Sequence, residues 1–226
     1  MTDKASRPTF LLVHGAWHGS WSWDKPASLL RGADRRVHTV DLPSAGGLTG
    51  VEADAQAIRA ELDRIDGPVV LVAHSYGGIP ATQAAAEAGS VSHLVYLAAY
   101  QLDVGESLLG FHGASVSPGA EGTHPVPENP VPLFYGDVDR AEAEAAVARL
   151  VPHSTKSLVD PLTRAGWHTV PSTYIVCEDD RALLVESQEL MAARSGTVHR
   201  MASSHSPFLS RPAELAALLT ETAAKA

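Results

Sequence analysis

A serine becomes a useful nucleophile when the chain holds its hydroxyl clear of the backbone, supplies a base and aims donors at the oxyanion. The segment Ala73-His74-Ser75-Tyr76-Gly77-Gly78 has the residue types for this. It follows a short apolar run, 69–72, and precedes a helical pattern that begins near Ile79. A serine on a strand-to-helix turn takes strained backbone angles, and small neighbours let the turn close. Such a turn lifts the hydroxyl and points the first helical N–H groups at whatever the serine attacks. The usual spacing is G-x-S-x-G, and here Ala73 fills the first place. One added methyl group is tolerable there, because Gly77, two after the serine, is the position that must fit tightly. The bland reading of the motif is a plain turn; its context favours the nucleophile.

Base and acid must come from elsewhere in the chain. Of eleven histidines, His205 lies in a loop, 201–208, between the last apolar run and a helical pattern starting near Pro212. After the run 173–176 come Cys177-Glu178-Asp179-Asp180-Arg181, three adjacent carboxylates. A carboxylate beside an imidazole accepts its N–H, fixes the tautomer and stabilises the imidazolium. By residue type alone Asp180 and Asp179 both qualify, and Asp103 stands third. His74 would point away from Ser75 and reads as structural, while His153, His168 and His199 read as surface or lid residues.

The elements that must position these groups alternate along the chain. Apolar runs at 10–13, 37–40, 69–72, 94–97, 173–176 and 198–201 lack polar alternation, as strands covered on both faces do. Between them, 52–65 places Ala55, Ile58, Leu62 and Ile65 on one helical stripe, and 183–194 and 212–224 repeat the pattern. The expectation is an α/β fold, a mainly parallel sheet of about six strands with helices on both faces. One stretch, 101–166, breaks the rhythm with many prolines and glycines, including Pro118-Gly119, around a helical piece at 140–150. It reads as a lid over the carboxyl edge of the sheet, within a single domain spanning 1–226.

The order His14-Gly15-Ala16-Trp17 after a strand, Asp41-Leu42-Pro43, His74-Ser75-Tyr76-Gly77-Gly78, Asp180 and His205 resembles the small α/β-hydrolases. That group includes plant methyl-ester esterases, hydroxynitrile lyases and many bacterial esterases, and the likeness covers nearly the whole chain. The resemblance implies Ser75 as nucleophile, His205 as base and Asp180 as acid, in the chain order of that fold. It also implies an oxyanion hole from the backbone N–H groups of Ala16 and Tyr76. Lyases of the group carry a threonine in the oxyanion loop and a lysine after the histidine; Gly15 and Ser206 stand there in this chain. That contrast implies ester hydrolysis through an acyl-enzyme, without a cofactor. Trp17 and His18 beside the oxyanion turn, and Phe111, Phe134 and Trp167 in the lid, are the expected substrate-binding residues.

Composition narrows the alternatives. A net charge of −9 disfavours nucleic acid. No apolar run nears the roughly 20 residues of a membrane span, and the polar stretch 1–9 does not look like a signal peptide. With a single cysteine and no spaced histidine pair, a metal site is not expected, and the expected compartment is the cytoplasm. A small-molecule ester is the expected partner, with a homodimer left open. A cofactor-independent lyase or other proton-transfer enzyme on the same scaffold, or a non-catalytic binder of small ligands, are the competing readings.

Overall fold

The computed structural model describes residues 7–114 and 119–225. Residues 1–6 of the polar N-terminal stretch and Pro118 lie outside the described residues. In chain order the elements are β1 (Thr9–Val13), α1 (Asp24–Gly32), β2 (Val37–Val40), α2 (Val51–Leu62), β3 (Val69–His74), α3 (Gly78–Ala85) and β4 (Val91–Leu97). There follow α4 (Leu108–Phe111), β5 (Thr123–His124), α5 (Pro130–Phe134), α6 (Arg140–Val147), β6 (His153–Ser154) and α7 (Thr155–Val159). The chain closes with β7 (Ser172–Cys177), α8 (Val185–Ala192), β8 (Thr197–Met201), α9 (Pro207–Ser210) and α10 (Pro212–Ala223).

Six strands form one parallel sheet in the order β2-β1-β3-β4-β7-β8. Their side chains alternate between two cores, as period-two strands require. Leu11, Val13, Leu71, Ala73, Tyr96, Tyr174 and Val176 face one cluster with Ala55, Ile58 and Leu62 of α2 and Ile79 of α3. Phe10, Leu12, Val70, Val72, Val95 and Ile175 face the other, with Ala27 and Leu30 of α1 and Leu215 and Leu219 of α10. Both faces of the four inner strands are therefore covered, which is why they read as apolar runs, whereas the edge strands β2 and β8 stay partly exposed and carry His38, Thr39, His199 and Arg200.

Helix ends differ from the periodicity by a few residues. α2 stops at Leu62, where the Ile65 N–H turns back onto the Leu62 carbonyl 3.0 Å away. α8 starts at Val185 rather than at residue 183, because Asp180 Oδ1 accepts the Ala182 and Leu183 N–H groups and holds that stretch as a turn.

The crossover from β4 to β7 is built from α4 to α7 and a two-stranded antiparallel ribbon, β5 with β6. Phe134, Tyr135, Ala143 and Ala146 join the second core, while Leu158 and Leu162 join the first. A further bridge pairs Ala45 with His153. The crossover is thus fastened to the loops above the sheet at several points. No helix among the described residues is long and apolar enough to cross a membrane.

Candidate active site

Ser75 sits immediately after β3, at the first residue of a one-turn 3-10 helix that leads into α3. Its φ is 51°, in the left-handed region that costs a residue with a Cβ about 1–2 kcal/mol. Close packing maintains this strain. A Cβ on Gly77 would lie 2.4 Å from the His14 carbonyl oxygen, and one on Gly78 would lie 2.6 Å from the Tyr100 carbonyl oxygen. Ala73, fully buried on the strand side, needs no such approach, so the departure from glycine there is harmless. Gly15 is equally constrained: a Cβ would meet Ser75 Cβ at 2.8 Å and His74 Nδ1 at 2.9 Å. The first-strand loop and the serine turn therefore touch backbone to backbone.

His205 follows β8, and Asp180 follows β7. Their side chains meet at 2.6 Å, His205 Nδ1 to Asp180 Oδ2, and both are buried. Asp180 also accepts from the Ala182 and Leu183 N–H groups and from Gln188 Nε2 at 3.1 Å. Gln188 in turn exchanges hydrogen bonds with the Cys177 backbone, tying α8 to the end of β7. Asp179 is exposed, with its N–H on the Ser203 carbonyl, and Asp103 pairs with exposed His168 at 3.0 Å.

His74 connects the serine turn to the histidine loop. Its Nε2–H donates to the His205 carbonyl at 2.8 Å, and the two rings lie 4.5 Å apart. Burial holds its pKa well below the usual histidine value. His14 is similar: Nδ1–H donates to the Gly15 carbonyl, Nε2 accepts the Leu42 N–H, and burial lowers its pKa. His18 donates from Nδ1 to the Ala16 carbonyl and accepts the Tyr135 hydroxyl on Nε2, both at 2.8 Å. Burial pushes its pKa down to about 3. These neutral rings brace the loop that carries Ala16, which is itself buried.

Of the expected substrate-contacting residues, Trp17, His18 and Phe134 gather around the histidine. Trp17 and Phe134 rings are 5.8 Å apart, Phe134 and His205 5.9 Å, and His18 meets Phe134 edge-on at 5.4 Å. Trp17 has a φ of 62°, so the loop after β1 is strained as the serine turn is. Phe111 packs against Tyr100, whose N–H donates to the Ser75 carbonyl at 3.0 Å. Trp167 is placed differently: its indole donates to the Leu102 carbonyl, its ring stacks on His168 and Arg194 lies over it. Trp23 is fully buried against Phe208, and Trp21 stacks on His18. Cys177 is buried at the end of β7, and burial raises its pKa.

His153, expected on the surface or in the lid, lies in β6 of the crossover and is fully buried, with its ring 4.7 Å from that of Tyr76. With it come Ser44, Ser157 and Asp54, which sequence reasoning did not single out. Asp54 falls on α2 between residues of its apolar stripe, and that off-pattern acid was the one available signal. Among the described residues no group of histidines, cysteines and carboxylates could hold a metal ion.

Comparison with known proteins agrees with this architecture. Residues 10–218 match the alpha/beta hydrolase family. Methylesterase 9 of Arabidopsis thaliana is 30% identical over 251 aligned positions, covering 96% of this chain and 98% of the relative. A carbendazim-hydrolyzing esterase of Nocardioides is 30% identical over 183 positions, covering 70% and 74%. Among solved structures, an Arabidopsis methylesterase superposes with a TM-score of 0.82 at 24% identity, covering 97% of this chain and 100% of that one. A pyrethroid hydrolase from Sphingobium faniae gives 0.80 at 25% identity, covering 96% and 97%. The matched span takes in nearly all of the sheet together with Ser75, Asp180 and His205: the chain belongs to the alpha/beta hydrolase family.

Proposed function

We propose that the chain is a carboxylic ester hydrolase that works through an acyl-enzyme on Ser75. The observation that carries this reading is the buried 2.6 Å contact between His205 Nδ1 and Asp180, linked by the His74 hydrogen bond to the His205 carbonyl to the turn that holds Ser75 at positive φ. A carboxylate on Nδ1 fixes the tautomer in which that nitrogen carries the proton, leaving Nε2 free to take one. Ser75 Oγ attacks the ester carbonyl carbon as its proton passes to His205 Nε2. The carbonyl oxygen becomes an oxyanion facing the Ala16 and Tyr76 N–H groups. Collapse breaks the carbon–oxygen bond to the alcohol, which leaves with the proton from His205. Water then repeats the sequence: it gives a proton to His205, attacks the acyl carbon and releases the acid and Ser75.

The substrate is a small ester with an apolar or aromatic part. Trp17 and Phe134 supply aromatic surface next to His205, and the relatives include methylesterases and an esterase named for carbendazim hydrolysis. Gly15 supports hydrolysis over the lyase reading, because a side chain there would collide with Ser75 and His74. The crossover between β4 and β7 acts as the lid of a single domain, since it carries Phe134 to the site. The test is turnover of short p-nitrophenyl esters by the wild type and by Ser75→Ala, with fluorophosphonate labelling of both. Loss of both signals in the variant, on the order of 10⁶-fold in kcat, supports the reading. A wild type that neither turns over nor labels overturns it.

A further inference from the structure

Beyond the catalytic residues, the molecule buries a second carboxylate close to the serine turn. Asp54, on α2, is fully buried. Its Oδ1 accepts the Ser44 N–H at 3.0 Å, and its Oδ2 accepts the Ser44 hydroxyl at 2.6 Å and the Tyr76 hydroxyl at 2.5 Å. A carboxylate taken out of water is costly, and an apolar residue at such a site is often no less stable. What Asp54 holds is therefore informative. Tyr76 is the residue after the nucleophile, and its side chain is fixed at two points, by Asp54 through its hydroxyl and by His153 against its ring.

His153 extends the chain to the other side of the site. Ser157 gives its proton to the Ser154 carbonyl, so it accepts the Nε2–H of His153 at 3.0 Å. That tautomer leaves Nδ1 facing the Trp17 N–H at 3.5 Å, while the Trp17 and His153 rings lie 6.0 Å apart. Ser44 Oγ stands 3.4 Å from the same ring, and the Ser44 carbonyl accepts the Ser154 N–H. Tyr76 and the loop of Ala16 and Trp17, which supply the two oxyanion donors in the hydrolase reading, thus rest on one buried assembly.

We propose that Asp54 is a positioning residue for the oxyanion hole, acting through Tyr76 and, by way of Ser44 and His153, through the Ala16–Trp17 loop. The proposal rests on the hydrolase reading. Burial raises the Asp54 pKa to about 6, so at neutral pH it is a carboxylate and only accepts hydrogen bonds, which orients both hydroxyls toward it. Releasing the Tyr76 ring lets the turn relax and re-aims an N–H that is worth about 10²–10³ in rate when well placed.

The test compares wild type, Asp54→Asn, Tyr76→Phe and the double variant. The readouts are kcat and KM on p-nitrophenyl acetate, Ki for an alkyl trifluoromethyl ketone, and the thermal midpoint. The ketone carbon adds Ser75 Oγ, and its oxygen becomes an oxyanion in the hole, so Ki reports the donors directly. Each single variant should lower kcat about tenfold, leave KM within about twofold and raise Ki about tenfold. The double variant should be no worse than the worse single one, because both break the same link. Folded variants whose kcat and Ki stay within about twofold of wild type overturn the proposal, even with a lowered thermal midpoint. Should Asp54→Asn fail to fold, Tyr76→Phe, which removes one oxygen atom, decides alone. A wild type that neither hydrolyses the ester nor binds the ketone overturns the hydrolase reading itself.

Discussion

Two buried carboxylates stand near Ser75, and their surroundings differ in one decisive respect. Asp180 collects four donors, and one of them is an imidazole that can take a proton. Asp54 collects three, a backbone amide and two hydroxyls, none of which can become a cation. A carboxylate facing a group that gains positive charge stabilises that charge as it appears. A carboxylate facing neutral hydroxyls does something else: it sets directions. The first arrangement suits the changing half of a reaction cycle, and the second suits the half that must stay still. The same division runs through the histidines, since His14, His18, His74 and His153 are all held neutral by burial around the still half.

The largest expected effect breaks the first region. Asp180→Asn keeps the shape but presents an amide to Nδ1, which favours the wrong imidazole tautomer. The expected loss in kcat is about 10⁴-fold with KM little changed, measured on p-nitrophenyl esters. A loss of tenfold or less would mean that Asp180 is no more involved in catalysis than Asp54, and the contrast between the two regions would collapse.

The next effect is on stability and comes from the second region. Burial pushes the His18 and His153 pKa values down to about 3 in the fold, against 6.5 unfolded. Between those limits the unfolded chain binds protons that the folded chain refuses, so stability falls as pH falls through that window. From pH 7 to 5 each costs roughly 2 kcal/mol. Asp54 works in the opposite direction. Its folded pKa of about 6 lies above its unfolded 3.8, so acidification over the same interval returns about 1 kcal/mol. These three groups together lose roughly 3 kcal/mol, His14 and His74 add to the loss in the same direction, and the thermal midpoint should drop clearly, with a smaller drop in His18→Asn. A flat profile in the wild type would show that these rings are protonated in the fold.

A smaller effect tests the backbone contact that joins the two regions. Gly77→Ala puts a Cβ 2.4 Å from the His14 carbonyl, so the serine turn and the first-strand loop must separate. Overpacking of this kind costs about 1–3 kcal/mol, with a matching fall in thermal midpoint and a fall in kcat. Ala73→Gly, on the strand side, relieves no contact and should cost less than about 1 kcal/mol.

These contrasts also explain what was legible in the sequence. The four inner strands could be read because strands covered on both faces leave apolar runs, the edge strands β2 and β8 showed only as short runs interrupted by polar residues, and the α2 stripe showed because one face of a helix is buried. Ser75 stood out because a strained turn demands glycine at fixed offsets, and Gly77 and Gly78 meet that demand locally. Asp180 and His205 sit in loops after strands, where position along the chain limits the choices. His153 had no such mark, and Asp54 had only its place as an acid among the apolar residues of α2. Each belongs to an element whose pattern is set by its apolar neighbours, and their meeting depends on where the crossover lies above the sheet. The placement of β6 against the Ala16–Trp17 loop is a long-range contact that no local spacing encodes. Trp167 illustrates the same limit from the other side: an aromatic residue in the crossover looks the same in sequence whether it covers the site or, as here, packs on Leu102 and His168.

The smallest expected effects come from Asp179 and Asp103, the two other acids that residue type alone left open. Asp179 is exposed, and only its backbone N–H is fastened, on the Ser203 carbonyl. Asp103 pairs with His168, and both partners are open to water, so that pair is worth at most about 1 kcal/mol. Asp179→Asn and Asp103→Asn should each leave kcat within about twofold and stability within about 0.5 kcal/mol. Measured beside Asp180→Asn on one substrate, they separate position from chemistry. Asp179 and Asp180 are adjacent in the chain and differ only in which way the turn sends the carboxylate. A tenfold or larger loss in Asp179→Asn would mean that the loop exchanges its two acids during turnover. A silent Asp179→Asn beside a crippled Asp180→Asn would mean that the turn, fixed by the Ala182 and Leu183 amides and by Gln188, selects the acid before any substrate arrives.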